Sequence, residues 1–444
     1  MPKFFGTDGV RGKAGEELTV DLALALARAA ALTFRPKKVL LARDTRLSGP
    51  ALSAACAAGL ASGGANVFDA GVLPSPAVSH LVAREKFDLG LVISASHNPP
   101  EDNGLKFYNP VGLKLSVEDE EMVEGALGLD HVGPSFGAIH AFLAAREKYL
   151  GLLRSLVKGL GLSGTKIVLD CAFGATATVA PEIFGESGAE LYLLGAEPDG
   201  ARINASGAAA PSLLSRTVRE VSADLGIAFD GDGDRALFVD ATGAIVEGDQ
   251  LMAALAPYLF AWGEIEKKAV VFTVLANLGA EAYLRERGFA VLRVPVGDRF
   301  VAWAMRENEI DLGGEPSGHI VFRRYTATGD GILTGLLVLS YLRQLGKSLR
   351  ELVSPVPMYP QVRKDVPVAN QEGILAQKDV QTAIAEAEQI LSGKGRIVVR
   401  PSGTQPLVRI MAEGPEEKIL REAVERVAEA VRRADQLISG STAA

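Results

Sequence analysis

A chain of 444 residues is too long for one hydrophobic core and points to three or four domains. Its 48% hydrophobic and 23% charged residues are those of an ordinary globular protein, and a net charge of −8 argues against a nucleic-acid binder, which needs a clustered basic face. The longest uncharged apolar run, about Leu251 to Gly263, contains Pro257 and falls short of the ~20 residues of a membrane span, so no membrane association is expected.

The N-terminal MPKFFGTDGVRG has no apolar signal-peptide core, and the only cysteines, Cys56 and Cys171, sit inside apolar segments as reduced core residues. A cytoplasmic location is therefore expected. Within FGTDGVRG, Arg11 lies in a glycine-flanked loop where a core role is not expected. KKVLLARD (37–44) then reads as a strand, ALSAACAAGLASGG as a helix and ANVFDAG as a second strand. The turn ARDTRLSG adds Arg43 and Arg46.

The apolar FDLGLVI ends in ISASHNPPEDNGLKF (93–107), with Ser96, His97 and Asn98 at the strand end and Lys106 ten residues beyond the serine. A serine beside a histidine invites a hydrolase reading, but no G-x-S-x-G elbow occurs in the chain. In an extended segment the two side chains would also point to opposite sides, poor geometry for a base on its own nucleophile.

A second strand–helix–strand unit follows: TKIVLD (165–170), PEIFGESG and AELYLLG. Beyond it, AFDGDGDRALFVD sets Asp230, Asp232 and Asp234 at two-residue spacing after an apolar strand. Three carboxylates this close need a cation between them, and all-oxygen ligands suit a hard ion, Mg²⁺ or Ca²⁺. The spacing matches the start of an EF-hand loop, but Arg235 stands where that loop requires glycine and Ala241 where it ends in glutamate. Arg235 instead suits an anion that also touches the ion.

KAVVFTV (268–274), AEAYLRERG and FAVLRVPV form the third unit. Three such units of about 30 residues, spaced about 100 to 130 residues apart, predict three similar α/β domains with mixed, largely parallel sheets, over 1–150, 151–250 and 251–365. GGEPSGH (313–319) follows, offering Glu315, Ser317 and His319 at alternating positions, a set suited to sugar hydroxyls. From about Pro367 the order is short strand, helix (Lys378 to Ser392), GRIVVR, the turn PSGT, LVRIMAEG and a helix (Pro415 to Leu437), predicting a smaller α+β domain over 366–444. In its RPSGTQPLVR stretch, Arg400, Ser402, Thr404 and the amides around Gly403 converge as an anion nest, with Arg409 adding a bidentate contact.

One serine, one hard-metal site, a polyol-contacting loop and a remote phosphate clamp make the division of labour of a phosphosugar mutase. A serine acting on phosphate needs charge neutralisation of the transferring group, which a metal and nearby cations supply. A phosphate on Ser96 would itself be a ligand for the ion on the aspartates.

FGTDGVRG, SASHNP, DGDGDR, GEPSGH and RPSGT, in this order along essentially the whole chain, resemble the motifs of the α-D-phosphohexomutase superfamily. FGTDGVRG and the TGDG string (Thr328 to Gly331) resemble its glucosamine branch. Two positions depart from that branch: Pro316 stands where Gln is usual, and Gln405 where Glu is usual. The resemblance implies four domains around a central cleft, Ser96 as a phosphoserine, and Mg²⁺ held by it with Asp230, Asp232 and Asp234. It implies sugar contacts from Glu315 and Ser317, and a phosphate clamp of Arg400, Ser402, Gly403, Thr404 and Arg409. Lys106 is the implied proton-transfer group, with His97, His319 and Arg11 near the phosphoryl group.

The implied reaction interconverts glucosamine 6-phosphate and glucosamine 1-phosphate through a 1,6-bisphosphate, towards UDP-N-acetylglucosamine and cell-wall synthesis. The alternatives are a glucose- or mannose-specific mutase of the same superfamily and a metal-dependent sugar phosphatase. The expected partners are a phosphosugar and a bisphosphate activator. A homodimer is the candidate assembly, although the sequence does not fix it.

Overall fold

One order of strands repeats in three sheets. In the first, Asn66–Val72, Lys38–Arg43 and Leu89–Ile93 lie side by side in parallel, and Asp102–Tyr108 returns antiparallel beside the last of them. The second sheet has the same order in Glu190–Leu194, Lys166–Asp170 and Leu225–Phe229, with Ala236–Asp240 returning. The third has Ala290–Val294, Ala269–Thr273 and Leu312–Gly314, with Ile320–Phe322 returning. The computed structural model in which these sheets occur describes residues 3–6, 8–128, 135–369, 371–402 and 406–441, side chains 371, 372 and 437–441 excepted.

The three predicted strand–helix–strand units are therefore the parallel halves of three mixed sheets. Their strands are apolar because both faces are covered: Leu89–Ile93 and Leu225–Phe229 are buried at every position. Periodicity did not disclose the antiparallel return strand. That strand matters most for function, because the turn leading into it carries the motif residues in all three domains.

The chain divides into two compact units, 1–276 with 287–355, and 277–286 with 356–444. The first holds the three mixed sheets. The second holds an antiparallel sheet in the order Gln361–Pro367, Leu407–Glu413, Arg396–Pro401. The helices Lys378–Ile390 and Glu417–Ser441 complete it, around a core that includes Val380, Ala387, Ile410, Val424 and Val427. The short strand predicted from about Pro367 instead ends there. The segment 277–286 belongs to this second unit, where Asn277 donates to the carbonyl of Tyr359 (3.0 Å) and accepts from its amide (2.9 Å).

Cys56 and Cys171 are both free and buried, as their apolar neighbours predicted. Among the described residues, no helix is long and apolar enough to cross a membrane. The apolar run around Pro257 is the helix Gly248–Ala261, which carries the proline inside it.

Candidate active site

The serine stretch closes the turn between Leu89–Ile93 and Asp102–Tyr108, whose register sets Val92 opposite Lys106 and Ile93 opposite Leu105. That pairing explains the spacing seen in the sequence: ten residues on, the chain has returned alongside the strand it left. The backbone of Ser96 is not extended, however. Its φ is +52°, a left-handed conformation that costs a non-glycine residue about 1–2 kcal/mol. The side chains of Ser96 and His97 therefore do approach, with Oγ 3.4 Å from Nδ1, contrary to the extended-strand expectation.

The serine hydroxyl hydrogen is directed elsewhere: Ser96 Oγ donates to Asp230 Oδ2 at 2.6 Å. Burial, with Arg235 and Arg11 nearby, pushes the His97 imidazole down to about 3, so it is neutral.

Arg46 holds this strained loop in place. Fully buried, it donates through Nε to Asp44 Oδ2 (2.9 Å), through Nη1 to the carbonyls of Pro99 and Asp102, and through Nη2 to those of Ser96 (2.9 Å) and Asn98 (2.8 Å). Asn204 Nδ2 reaches the same two carbonyls, of Ser96 at 2.8 Å and of Asn98 at 2.9 Å. Ser94 Oγ completes the anchor by donating to Asp44 Oδ2 and accepting from the Ser96 amide. The sequence had flagged Arg46 only as a basic residue of a turn, and had not singled out Asp44 or Asn204.

Asp230, Asp232 and Asp234 fill the equivalent turn of the second sheet, between Leu225–Phe229 and Ala236–Asp240. All three are buried, and one carboxylate oxygen from each can be chosen so that all lie within 4.8 Å of one another. Burial and the other two carboxylates raise the Asp230 carboxyl to about 7. Asp232 and Asp234 lie below the usual carboxylate range: burial acts to raise them, but Lys106, together with Ser75 at Asp232 and with His319 and Lys114 at Asp234, more than offsets it. Asp232 Oδ1 and Asp234 Oδ1 are buried without a hydrogen-bond partner.

Two orphaned carboxylate oxygens beside a third acid that resists ionisation are the pattern a cation relieves. The donor set therefore fits a hard divalent ion. Gly231 lets this turn reach the serine loop, since a Cβ there would meet the Ser96 carbonyl oxygen at 2.7 Å. Asp232→Asn is expected to weaken divalent-ion binding at least about tenfold, read by calorimetric titration, because it removes one of three charges around the ion. Unchanged affinity would mean that Asp232 is not a ligand of the ion.

The remaining charges close a ring. Lys106 Nζ lies 2.8 Å from Asp232 Oδ2, 3.4 Å from Asp234 Oδ2 and 3.1 Å from Asp8 Oδ2. Asp8 also binds Arg11 and Lys114, and Lys114 binds Asp298. His319 stands between Asp298 (3.6 Å) and Asp234 (3.7 Å). Burial acts to lower the Lys106 and His319 pKa values, but the flanking carboxylates win and both are raised. Arg11 donates to Asn98 Oδ1 at 2.9 Å, and its Nε is buried without a partner. Asp8, Lys114 and Asp298 were missed by sequence reasoning, because the contacts that join them, Lys114 to Asp8 and Lys114 to Asp298, span 106 and 184 residues.

Glu315, Ser317 and His319 occupy the third equivalent turn, between Leu312–Gly314 and Ile320–Phe322. Glu315 accepts from the Gly297 amide (3.0 Å), and Ser317 Oγ lies 3.4 Å from Glu315 Oε2. Gly318, at φ +89°, permits the approach of the Ala236 amide to its carbonyl (3.0 Å), tying this turn to the aspartate turn. Pro316 keeps its carbonyl in use, accepting from Gly248 at 3.0 Å. The TGDG string acts as a clasp: the Gly329 amide donates to His319 Nε2 (3.2 Å) and the Gly331 amide to the Gly233 carbonyl (3.0 Å). Asp330 caps the helix Gly331–Leu345 and accepts from Tyr149.

Within the second unit, Arg400 and Arg409 face each other directly across adjacent strands. Like charges in that position repel, and Arg409 Nε and Ser402 Oγ are both buried without a partner. A bound anion would satisfy all of these groups. Gly403, Thr404 and Gln405 lie outside the described residues.

Family models for phosphoglucomutase/phosphomannomutase match the chain in order: alpha/beta/alpha domain I at residues 2–128, domain II at 147–243, domain III at 247–359 and the C-terminal domain at 364–430. Phosphoglucosamine mutase from Geobacillus thermodenitrificans is 43% identical over 98% of this chain and 99% of its own length. Phosphoglucosamine mutase from Thermus thermophilus is 46% identical over 96% of this chain and 98% of its own. The chain belongs to the phosphoglucosamine mutase family.

A crystal structure of a phosphoglucomutase/phosphomannomutase family protein from Burkholderia thailandensis aligns with a TM-score of 0.81 at 25% identity, covering 98% of each chain. For this member of the phosphoglucosamine mutase family, the first unit brings together Ser96, His97, Lys106, Arg11, the three aspartates, Arg235, Glu315, Ser317 and His319. Arg235 Nε stands 4.0 Å from Asp230 Oδ2 and 3.9 Å from Asp234 Oδ1, buried and without a hydrogen bond, where an anion beside the ion would meet it.

Proposed function

We propose that the chain is a Mg²⁺-dependent phosphoglucosamine mutase that interconverts glucosamine 6-phosphate and glucosamine 1-phosphate. The observation that carries this reading is the 2.6 Å contact of Ser96 Oγ with Asp230, inside a three-carboxylate cluster that also holds the Lys106 ammonium. Phosphorylated Ser96 gives its phosphoryl group to the 1-hydroxyl of glucosamine 6-phosphate. The O1–P bond forms as the Ser96 O–P bond breaks, and the proton lost by the sugar hydroxyl is returned to the serine oxygen. The resulting 1,6-bisphosphate turns over, and its 6-phosphoryl group passes back to Ser96.

Mg²⁺ held by Asp230, Asp232, Asp234 and the phosphoserine would offset charge on the phosphoryl oxygens. Lys106 and Arg235 flank the same oxygens, Lys106 moving the proton and Arg235 and Arg11 balancing charge. Glu315 and Ser317 take sugar hydroxyls, and His319 orients Asp234. We place the activity in the cytoplasm, in keeping with two free, buried cysteines.

Turnover of the 6-phosphates of glucosamine, glucose and mannose tests this reading. Glucosamine 6-phosphate is expected to be preferred at least about tenfold in kcat/KM. Net release of inorganic phosphate without a 1-phosphate product would make the chain a phosphatase instead.

The clamp has its own test. Arg400 and Arg409 are assigned to the phosphate that does not react, which a planar guanidinium grips bidentately and lysine does not. Arg409→Lys is expected to raise KM for glucosamine 6-phosphate, lower kcat and increase dependence on added 1,6-bisphosphate, because the intermediate escapes before it turns. Transfer from phosphoserine to water should be little changed. Wild-type values for all three kinetic quantities would remove Arg409 from the clamp.

A further inference from the structure

Two equivalent helices of the first unit, Ser75–Arg84 and Asp298–Asn308, flank a cavity of about 520 Å³ whose wall is completed by Val111, Leu113, Val321 and residues 323–327. The cavity is of small-molecule size. Four arginines line it, Arg84, Arg306, Arg323 and Arg324, with no carboxylate among the lining residues, in a chain with 54 acidic and 46 basic residues. Arg323 is held by Asp311, and Arg324 by Glu264.

The exposed guanidinium groups of Arg84 and Arg306 form no hydrogen bond or ion pair among the described residues, and His80 Nε2 is buried without a partner. Leu113, Met305 and Val321 give the lining a buried apolar part, and Tyr325 and the exposed Val111 also line it. Free cations at the mouth and a partly apolar lining suit a ligand with a phosphate at one end and a flat, weakly polar body at the other.

Every wall of the cavity leads to the catalytic charge ring. Ser75, at the far end of one helix, donates through its amide to the Asp232 carbonyl and through Oγ to the Asp232 carboxylate. Asp298, at the far end of the other, binds Lys114, the neighbour of Leu113. Val321 lies two residues from His319, and Ala327 two residues before the Gly329 that donates to that histidine. The cavity begins about one helical turn from Ser75 and Asp298, at Ser79 and Ala302, and its free arginines, Arg84 and Arg306, lie about 12–14 Å along the same helices, so rigid elements join it to the ring.

We propose that this cavity is a regulatory site for a nucleoside phosphate, whose occupancy alters the mutase rate by shifting Asp232, Asp298 and Lys114. The regulatory half rests on the mutase reading, whereas the binding half does not. Calorimetric titration of the metal-free protein with ADP tests binding directly. Saturable binding is expected, weakened at least about tenfold by the double substitution Arg84→Ala/Arg306→Ala and unaffected by Arg409→Ala.

No saturation by about 1 mM ADP, or loss of binding with Arg409→Ala alone, overturns the site. Pyrophosphate binding as tightly as ADP overturns the nucleoside assignment. With Mg²⁺ in excess, ADP is expected to change kcat at least about twofold in the wild type and not in the double variant. Binding without any change in rate overturns regulation while leaving the mutase reading intact. Absence of mutase activity in the unliganded wild type counts against that reading, and calorimetry still decides the binding site.

Discussion

Alanine at position 96 is expected to cut mutase turnover at least about a thousandfold, some 4 kcal/mol of transition-state stabilisation, while the protein stays folded. The neighbouring hydroxyls cannot take over. Ser94 Oγ is committed to Asp44 and the Ser96 amide, and Ser75 Oγ to Asp232 at the start of its helix. The structural cost of Ser96→Ala is one hydrogen bond to Asp230, about 1 kcal/mol. Asp230 tolerates that loss, because burial and its two acidic neighbours already raise its carboxyl well above the usual carboxylate range. A thermal melt beside the turnover assay separates the two effects. Activity within about tenfold of wild type, in a protein that melts normally, would remove Ser96 from phosphoryl transfer.

The second large effect is expected at Arg46, and it falls on stability. Truncation to alanine strands Asp44, which is buried with its charge compensated by that guanidinium, and removes hydrogen bonds to four loop carbonyls, of which Asn204 still reaches those of Ser96 and Asn98. Breaking a buried pair in this way costs about 3–5 kcal/mol, and here the loss also frees the strained backbone of Ser96. Arg46→Ala should therefore lower the denaturant midpoint sharply and abolish turnover. Arg43→Ala is the matched control: Arg43 reaches Asp69 only at 4.0 Å on a partly exposed surface, so its loss should cost no more than about 1 kcal/mol. Equal midpoints for the two variants would mean that Arg46 does not hold the loop.

The contrast between these two arginines marks the limit of what the sequence disclosed. Both stand in one short basic stretch, and nothing local distinguishes the partly exposed one at the strand end from the one that the Ser96–Asp102 loop closes around. Asp8, Lys114 and Asp298 were invisible for the same reason, since the ring they form is assembled by tertiary packing. Ser96, Asp230, Asp232, Asp234, Glu315 and His319 were legible because each sits in a short polar interruption after an apolar strand. Their shared location in the turn before an antiparallel return strand was not legible, as the three return strands, DNGLKFY, ALFVD and IVF, share neither length nor pattern. The extended-strand argument for Ser96 and His97 failed on one dihedral angle. Rejection of the hydrolase now rests on the contact between the serine hydroxyl and Asp230, and on a histidine too depressed to hold a proton at neutral pH.

The phosphoryl-carrier role of Ser96 is tested most directly by mass. The protein is stripped with a phosphatase, incubated with a hexose 1,6-bisphosphate and Mg²⁺, and weighed intact and as peptides, before and after addition of glucosamine 6-phosphate. The assignment requires one phosphate per chain, on the peptide containing Ser96, with exchange onto sugar at the rate of turnover. Full mutase turnover by a protein that never carries phosphate on Ser96 would contradict it.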